Sequence, residues 1–262
     1  MRCALGSLLL QGYHLGEHGE WEKKAAFELT MRVPLLISAP HLPASHGRST
    51  RGLVDLVDIY PTLTDLAGLP PPVNEPFIPQ DAVSALHLFN APAELPPAAR
   101  GRADSGVVAT AADAMETAAA AAASASASAS SAAGKRSRSR AGGRTASFSQ
   151  YPRCGGAGPA VEQGSCNSIP KENFQYMGFT VRTAEWRYTA WLKWNGTTLN
   201  GDWKSAESTA PYAEELYDHA ADDGTDFNAY ENVNLVGSGV PPSPAVEAAR
   251  SGLLALLATR FS

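Results

Sequence analysis

The stretch Met177–Trp194, MGFTVRTAEWRYTAWLKW, decides the fold class of the C-terminal part of this chain. Phe174–Thr183 and Trp186–Trp194 are rich in aromatic and β-branched residues, a composition that favours β-strands. Only Ala184 and Glu185 separate the two runs, which is typical of a tight hairpin. Because side chains alternate between the two faces of a strand, the second strand is predicted to have one largely apolar face. We expect its members to be core residues and not a sugar platform: Trp186, Tyr188, Ala190, Leu192 and Trp194.

Two further segments complete a predicted C-terminal domain over 147–262. Glu214–Asp218, EELYD, has the character of a short strand. Ser243 is a favourable N-cap and Pro244 suits the first position of a helix, so a terminal helix is predicted to begin there. Strands followed by a covering helix indicate an α+β domain with an antiparallel sheet.

The N-terminal part of the chain shows the order strand, helix. The continuous apolar run within Thr30–Ala39 predicts a buried strand, and Leu53–Val57 is a second strand-like run. Asp58 is expected to cap a helix over Ile59–Ala67, and Gly68 suits the left-handed residue that ends it. This order is typical of an α/β layer.

A linker is predicted to join the first part, 12–69, to the C-terminal domain. It covers 70–146 and is rich in Pro, Ala and Ser. The alternating Ser and Ala of Thr117–Gly134 offer no apolar face to bury, so this linker is expected to be largely disordered. We interpret Lys135–Arg140, KRSRSR, as a solvated part of it and not as a nucleic-acid signal.

Charge and hydropathy exclude two classes of partner. The net charge of −5 is mild, which argues against nucleic acid. No apolar run reaches the roughly 20 residues that a membrane-spanning helix needs. The start of the chain resembles a signal peptide only faintly, because Gly6 and Ser7 interrupt a short apolar run.

Cysteine spacing and one sequon bear on the compartment. Cys154 and Cys166 lie in a Gly-rich stretch with no nearby histidine to complete a zinc site. A local disulfide and two free thiols both remain open, and a disulfide would indicate an oxidising compartment. Asn195-Gly196-Thr197 is an N-glycosylation sequon, with Asn195 as the acceptor. Together they favour the secretory pathway.

The stretch Gly12–Lys24, GYHLGEHGEWEKK, is the candidate functional loop. It combines three glycines with two histidines, three glutamates, two lysines, a tyrosine and a tryptophan. Such a composition favours neither helix nor strand, so we expect a shaped loop that presents side chains. Loops beside buried strands commonly carry function.

Six motifs in this order resemble the sulfatases, and specifically the iduronate-2-sulfatase branch. They are GYHLGEHGEWEKKAAFE, VPLLISAP, LVDLVDIYPTLTDLAGLP, SQYPR, MGFTVRTAEWRYTAW and EELYD. The resemblance implies an alkaline-phosphatase-like α/β fold, here a partial N-terminal subdomain plus the C-terminal subdomain with a four-stranded antiparallel sheet. It also implies hydrolysis of sulfate esters of carbohydrates by a formylglycine, made from Cys or Ser in C/S-x-P-x-R, with calcium holding the sulfate.

The resemblance transfers to only part of the family's site. Lys23 matches the lysine that contacts sulfate, with Lys24 as the alternative if the register slips by one. Tyr13 matches a pocket-edge position and His18 the E-H-G turn, where a structural role competes with substrate binding. Glu17 and Glu20 are expected to fix the loop.

The nucleophile and the metal ligands have no counterpart in this sequence. Leu10 and Gln11 stand where the family has its Asp-His or Asp-Asn pair, and leucine cannot bind calcium. No C-x-P-x-R or S-x-P-x-R occurs. We therefore assign no catalytic or metal-binding residue and expect the chain by itself to be inactive.

Two explanations are open for this partial match. One is that the gene product continues upstream of Gly12 and contains the missing motifs. The alternative is a non-catalytic pseudo-sulfatase or a module that binds sulfated glycans. A phosphohydrolase of the same superfamily ranks last, because GEHGEW points to sulfatases.

Overall fold

The structure is a computed structural model that describes residues 5–8, 11–70, 81–90, 143–154, 166–208, 211–224, 226–237 and 241–262. The strands are β1 Leu5–Leu8, β2 His14–Leu15, β3 Trp21–Glu22, β4 Leu35–Ser38, β5 Ser147–Arg153, β6 Tyr176–Arg182, β7 Trp186–Asn195, β8 Asn200–Gly201 and β9 Ala213–Asp218. The helices are α1 Glu28–Met31, α2 Ile59–Ala67, α3 Leu86–Asn90, α4 Trp203–Ser208 and α5 Pro244–Phe261.

The chain divides into two compact units. The described part of the first comprises 5–8, 34–70, 81–90 and 143–147, and that of the second comprises 11–33 and the described residues from 148 onward. Residues 11–33 therefore pack with the C-terminal sheet, although sequence order groups them with 34–69. The reason is a set of buried ion pairs that joins them to that sheet.

The first unit contains the helix that the sequence predicted. Helix α2 spans Ile59–Ala67, and Gly68 ends it with a φ of 70°. The side chains of Thr62 and Leu66 are buried. Here local signals were sufficient, because an apolar face, an early proline and a terminal glycine all agree.

The strand expected over Thr30–Ala39 is shorter and less buried than predicted. Only Leu35–Ser38 forms a strand, β4, which pairs antiparallel with β1. Thr30 and Met31 belong instead to α1, and Pro34 lacks the N–H that a strand would use. Leu36 is 65% exposed, so the apolar run is not a core strand in this unit.

The expectations for Leu53–Val57 and Asp58 were also wrong in detail. Leu53 makes one isolated bridge to Arg144, and Leu56–Asp58 forms a 3₁₀ turn instead of a strand. The Asp58 side chain does not cap α2. Its carboxylate accepts hydrogen bonds from the N–H groups of Asp55 and Val83, at 2.9 and 2.7 Å, because a turn precedes the helix.

Part of the predicted linker is ordered against this turn. Arg144 donates to both carboxylate oxygens of Asp58, at 2.7 and 2.5 Å, and lies 3.0 Å from Asp55. Residues 81–90 also contact the turn and α2, through Val83 and through a hydrogen bond from Ala85 to Thr62. The low-complexity tract and the KRSRSR run lie outside the described residues.

The second unit is built on a sheet with β7 at its centre. Strand β6 pairs along one edge of β7, from Tyr176–Lys193 to Arg182–Arg187. The other edge of β7 pairs with β9 over most of its length and with β8 at its end. The predicted hairpin between β6 and β7 and the predicted EELYD strand, within β9, are confirmed. The sheet has five strands, whereas the resemblance implied four, because β8 and β9 share one edge.

One face of this sheet forms the apolar core under α5. Tyr188, Ala190 and Leu192 are buried on it, as the alternation predicted, whereas Trp186 and Trp194 are only half-buried. Helix α5 begins at the predicted cap, where Ser243 Oγ accepts from the Val246 N–H at 3.3 Å. Its Leu253 and Leu257 are buried against the sheet. Burial of such side chains contributes roughly 2 kcal/mol each.

The opposite face is also buried but is charged. Arg187 donates to the Ala26 carbonyl at 2.7 Å and lies 2.5 Å from Glu231, and its guanidinium also contacts Glu28. Arg182 contacts Glu28 at 2.9 Å. The segment carrying Ala26 and Glu28 covers this face, so its polar residues satisfy each other instead of water. No helix in the described residues is long and apolar enough to cross a membrane.

Candidate functional site

The loop Gly12–Lys24 is a miniature hairpin with a tight tip. Strands β2 and β3 pair antiparallel, with His14 opposite Glu22 and Leu15 opposite Trp21. A 3₁₀ turn over Glu17–Gly19 connects them. Sequence composition predicted a shaped loop. It did not predict these short strands, which consist of only two residue pairs.

The backbone of this loop is unusually strained. His18 and Glu22 have positive φ angles of 57° and 69°, a region that residues other than glycine rarely occupy. Gly16 and Gly19 have positive φ angles as well, of 120° and 71°. Strained residues persist where the surrounding structure fixes them, and they cluster at functional sites. The geometry therefore supports a functional role for this loop.

Two histidines form the underside of the loop. His14 is completely buried, and its Nδ1 donates to the Glu17 carbonyl at 3.1 Å. The His18 ring stacks on Phe27, with ring centroids 4.3 Å apart. Burial lowers the pKa of His18 below its usual 6.5. The structure thus places His18 in an aromatic packing position, with its Nε2 shielded from solvent. His14 was not singled out from the sequence.

The opposite side of the hairpin presents aromatic side chains to solvent. Tyr13 is 54% exposed and Trp21 is 65% exposed, and alternation from the buried His14 puts Tyr13 and Leu15 on the outer side. Trp21 lies opposite Leu15 in the register and shares that side. Sequence reasoning proposed Tyr13 but did not single out Trp21. The pairing of β2 with β3 brings Trp21 to the same side of the hairpin.

Among the charged side chains of the loop, one lysine is exposed and has no carboxylate partner within the described residues. Lys24 lies 3.4 Å from Glu22, and Glu20 lies 3.6 Å from Arg153. Glu17 accepts a hydrogen bond from the Leu15 N–H at 2.6 Å, which lowers the pKa of Glu17. Lys23 is exposed, and no carboxylate of the described residues is within ion-pair distance of it.

Arg153 connects this loop to the sheet. It is the last residue of β5, and its Nη1 donates to the Lys24 carbonyl at 2.7 Å. Its guanidinium carbon lies 5.1 Å from the ring centroids of both Tyr151 and Trp191. The motif SQYPR contained this arginine, but nothing in the sequence connected it to a loop 129 residues away.

The disulfide candidate and the sequon occupy defined places in this unit. Cys154, directly after Arg153, is bonded to Cys166, with Cα atoms 5.8 Å apart. Asn195 is exposed at the end of β7, and its Oδ1 accepts from the N–H of Thr197 at 2.9 Å. The acceptor nitrogen of the sequon therefore lies in an accessible turn.

The described residues do not fit a bound calcium ion. Glu28, His219 and Glu231 bring ligand atoms within 4.8 Å of one another, and all three are buried. The Arg187 guanidinium, however, contacts both of these glutamates, and arginine does not lose its charge. That cluster already contains its cation, so it offers no calcium site. Leu10, which stands where the resemblance places a calcium-binding Asp, has no oxygen in its side chain.

Comparison with known proteins finds similarity to sulfatases. No family model matches the chain. The chain is 26% identical to iduronate 2-sulfatase of Mus musculus and 25% identical to that of Homo sapiens, in each case over 84% of this chain. It is also 43% identical to arylsulfatase K of Homo sapiens over 58 residues, 22% of this chain and 10% of that relative. The chain is thus similar to sulfatases, to iduronate 2-sulfatase over most of its length and to arylsulfatase K over a short segment.

The sulfatase resemblance of the motifs is thereby confirmed, and it concerns a C-terminal portion. The chain spans 37% of the length of each iduronate 2-sulfatase that it matches. Sulfatase homology implies an alkaline-phosphatase-like fold, and the mixture of helices with an antiparallel sheet is consistent with it.

Proposed function

We propose that this chain acts in sulfate ester hydrolysis, as the portion of a sulfatase that holds the sulfate group of a sulfated carbohydrate. The observation that carries the proposal is Lys23, an exposed lysine on a strained loop in a chain similar to sulfatases. A fixed ammonium group stabilises an anionic sulfate oxygen through a charge-assisted hydrogen bond. Lys23 is proposed to make that contact.

The neighbouring aromatic side chains are proposed to contact the sugar. Tyr13 and Trp21 are both more than half exposed on the outer side of the hairpin. Aromatic residues supply large contact area with little loss of conformational entropy. His18 is proposed to support this surface from beneath, through its stacking on Phe27.

The family mechanism requires groups that this sequence does not contain. A formylglycine would supply the nucleophile and calcium would neutralise charge on the sulfate. The sequence has no C/S-x-P-x-R motif, and the described residues offer no calcium ligand set. The 262 residues alone are therefore proposed to bind sulfated ligands without turning them over. The disulfide and the sequon support a secretory, lysosome-like or extracellular location.

A non-catalytic role is the second candidate. A specific substitution favours it, because Leu10 and Gln11 occupy the family's metal-binding pair. In that case the chain would be a pseudo-sulfatase or a module that binds sulfated glycan, with the same loop and the same lysine as its contact surface.

Binding of a sulfated probe tests the shared element of both candidates. A heparin-derived tetrasaccharide and its desulfated counterpart would be titrated into the pure chain by calorimetry. We expect binding only of the sulfated form, and about tenfold weaker binding for Lys23→Gln, since a hydrogen bond to a charged group contributes roughly 1.5–3 kcal/mol.

Lys171→Gln is the matched control, because it removes an exposed lysine from another part of the same unit. It should bind like the wild type. Equal affinity of wild type and Lys23→Gln, or equal binding of both tetrasaccharides, would refute the proposed sulfate contact.

A further inference from the structure

We propose that Arg153 is the positioning residue of this site. Its guanidinium holds the main chain at Lys24 and so sets the direction in which Lys23 presents its ammonium group. The inference rests on the proposed function, because it concerns the same sulfate contact.

Arg153 is itself held in one orientation. It is 7% exposed, and its guanidinium carbon lies 5.1 Å from the ring centroid of Tyr151 and 5.1 Å from that of Trp191. A planar guanidinium enclosed in this way keeps its donors in a fixed fork. The position of the sheet therefore fixes the position of the main-chain carbonyl that Arg153 binds.

The two contacts of Arg153 with the loop lie on either side of Lys23 in sequence. Nη1 donates to the Lys24 carbonyl at 2.7 Å, and Nη2 lies 3.6 Å from the Glu20 carboxylate. A charged donor bonds more strongly than a neutral one, so these contacts restrain the segment that carries Lys23.

The loop needs such a restraint. Glu22, next to Lys23, has a φ of 69°, and the hairpin that contains it has only two register pairs. A residue with a side chain is more stable outside this backbone region. Without Arg153, the backbone at Glu22 would be free to relax and to redirect the Lys23 side chain.

The burial of Arg153 separates it from the ligand. Its guanidinium contacts the Lys24 carbonyl and lies near the Glu20 carboxylate and two rings, whereas the Lys23 side chain is exposed. Arg153 thus acts through Lys24 and not through a contact of its own with sulfate.

Calorimetric titration of the sulfated tetrasaccharide at several salt concentrations tests this assignment. Arg153→Gln should weaken binding by about tenfold, because the ligand must then order the loop. It should leave the salt dependence of binding unchanged, since the Lys23 charge remains. Lys23→Gln should both weaken binding and reduce the salt dependence, because it removes the charge that salt screens.

Hydrogen exchange supplies an independent readout. In Arg153→Gln the amides of 12–24 should exchange faster, whereas in Lys23→Gln they should exchange as in the wild type. Arg250→Gln is the matched control, because Arg250 binds Glu214 on the opposite face of the same sheet. It should change neither the affinity nor the exchange of 12–24.

The outcomes distinguish this inference from the proposed function. Wild-type affinity in Arg153→Gln together with weak binding in Lys23→Gln would overturn the positioning role alone. Reduced salt dependence in Arg153→Gln would mean that Arg153 contacts the ligand directly, which also overturns it. Wild-type affinity in Lys23→Gln would overturn the proposed function. If Arg153→Gln does not fold, Arg153→Lys decides, because it retains the charge without the fork and is expected to bind with intermediate affinity.

Discussion

Gly12 begins the candidate functional loop at a point where two segments of the main chain lie very close together. Its N–H donates to the Thr30 carbonyl at 2.9 Å, and a Cβ atom added to it would lie 1.6 Å from the Leu29 carbonyl oxygen. Gly19, at the tip, has open space around the same position but a positive φ of 71°. The two glycines therefore serve different purposes, close approach at one and backbone conformation at the other.

Alanine substitutions should separate these purposes. Gly12→Ala is expected to lower the free energy of unfolding by at least ~2 kcal/mol, because backbone atoms must move apart. Gly19→Ala is expected to cost only about 1 kcal/mol, the penalty of a left-handed residue. Urea denaturation measures both. Equal losses in the two variants would contradict the close approach at Gly12.

Glu28 gives the second unit a defined response to acid. Burial alone would raise the pKa of Glu28, but the charges of Arg187 and Arg182 outweigh it and lower that pKa from 4.5 to about 2. A lowered pKa in the folded state means that the stabilisation is complete above pH 4.5 and is lost as the pH falls towards 2.

Unfolding experiments in this pH range test the effect. The wild type should lose about 3 kcal/mol of unfolding free energy through this carboxylate, since each pKa unit corresponds to about 1.4 kcal/mol. Glu28→Gln, less stable at neutral pH, should show a correspondingly flatter dependence. A variant as sensitive to acid as the wild type would mean that other carboxylates dominate.

At the scale of elements, we expect β5 and the disulfide directly after it to hold the loop in place, because Arg153 at the end of β5 donates to the Lys24 carbonyl. Cys154 follows Arg153 directly and is bonded to Cys166, twelve residues further along. Replacing both cysteines with serine should lower the free energy of unfolding by about 3 kcal/mol, the loop-closure entropy of a ring of this size. It should also speed hydrogen exchange in 12–24, because Arg153, which binds the loop, is the last residue of β5.

A chemical denaturation series of the double variant beside the wild type measures the first effect. Cys3→Ser is the matched control, because it removes a cysteine that is not part of this bond. An unchanged denaturation midpoint in the double variant would show that the Cys154–Cys166 disulfide does not stabilise the end of β5.

The turn after β7 should carry a glycan. Asn195 is exposed, and its side chain is held by hydrogen bonds from Thr197 and Thr198, at 2.9 and 3.2 Å. Secretion from a eukaryotic host should therefore yield a species that loses mass on treatment with an endoglycosidase. The variant Asn195→Gln should show no such loss, and an unmodified wild-type protein would contradict the assignment.

Elements with local signals could be predicted, and contacts between distant segments could not. The hairpin of β6 and β7 and helix α2 follow from alternation, a short connection and a terminal glycine. The charged face of the sheet was missed, because Glu28 and Arg187 lie 159 residues apart and each alone looks like a surface residue. Lys23 was found through the family motif, whereas Arg153 became visible only through its contact with Lys24.

At the scale of the whole molecule, this sequence contains the proposed sulfate contact but no motif for the family's nucleophile. The 262 residues contain a loop with an exposed lysine and no C-x-P-x-R or S-x-P-x-R motif. We expect the pure chain to release no chromophore from p-nitrophenyl sulfate. Release that a chelator abolishes would contradict this expectation and would indicate a complete site. Lysates of the expression host without the chain are the blank for this assay.

The buried charges on the second unit's sheet constrain how this protein can vary. Arg187 contacts Glu28 and Glu231, and His219 lies between Glu231 and Asp222, at 3.2 and 3.0 Å. Loss of Arg187 leaves the buried Glu231 without its arginine partner, a cost of several kcal/mol, whereas joint replacement of the pair by apolar residues can be neutral. We therefore expect a substitution at Arg187 to be tolerated mainly when Glu231 changes with it. Because Arg187 also donates to the Ala26 carbonyl, such a change would also alter how the segment 11–33 is attached to the sheet.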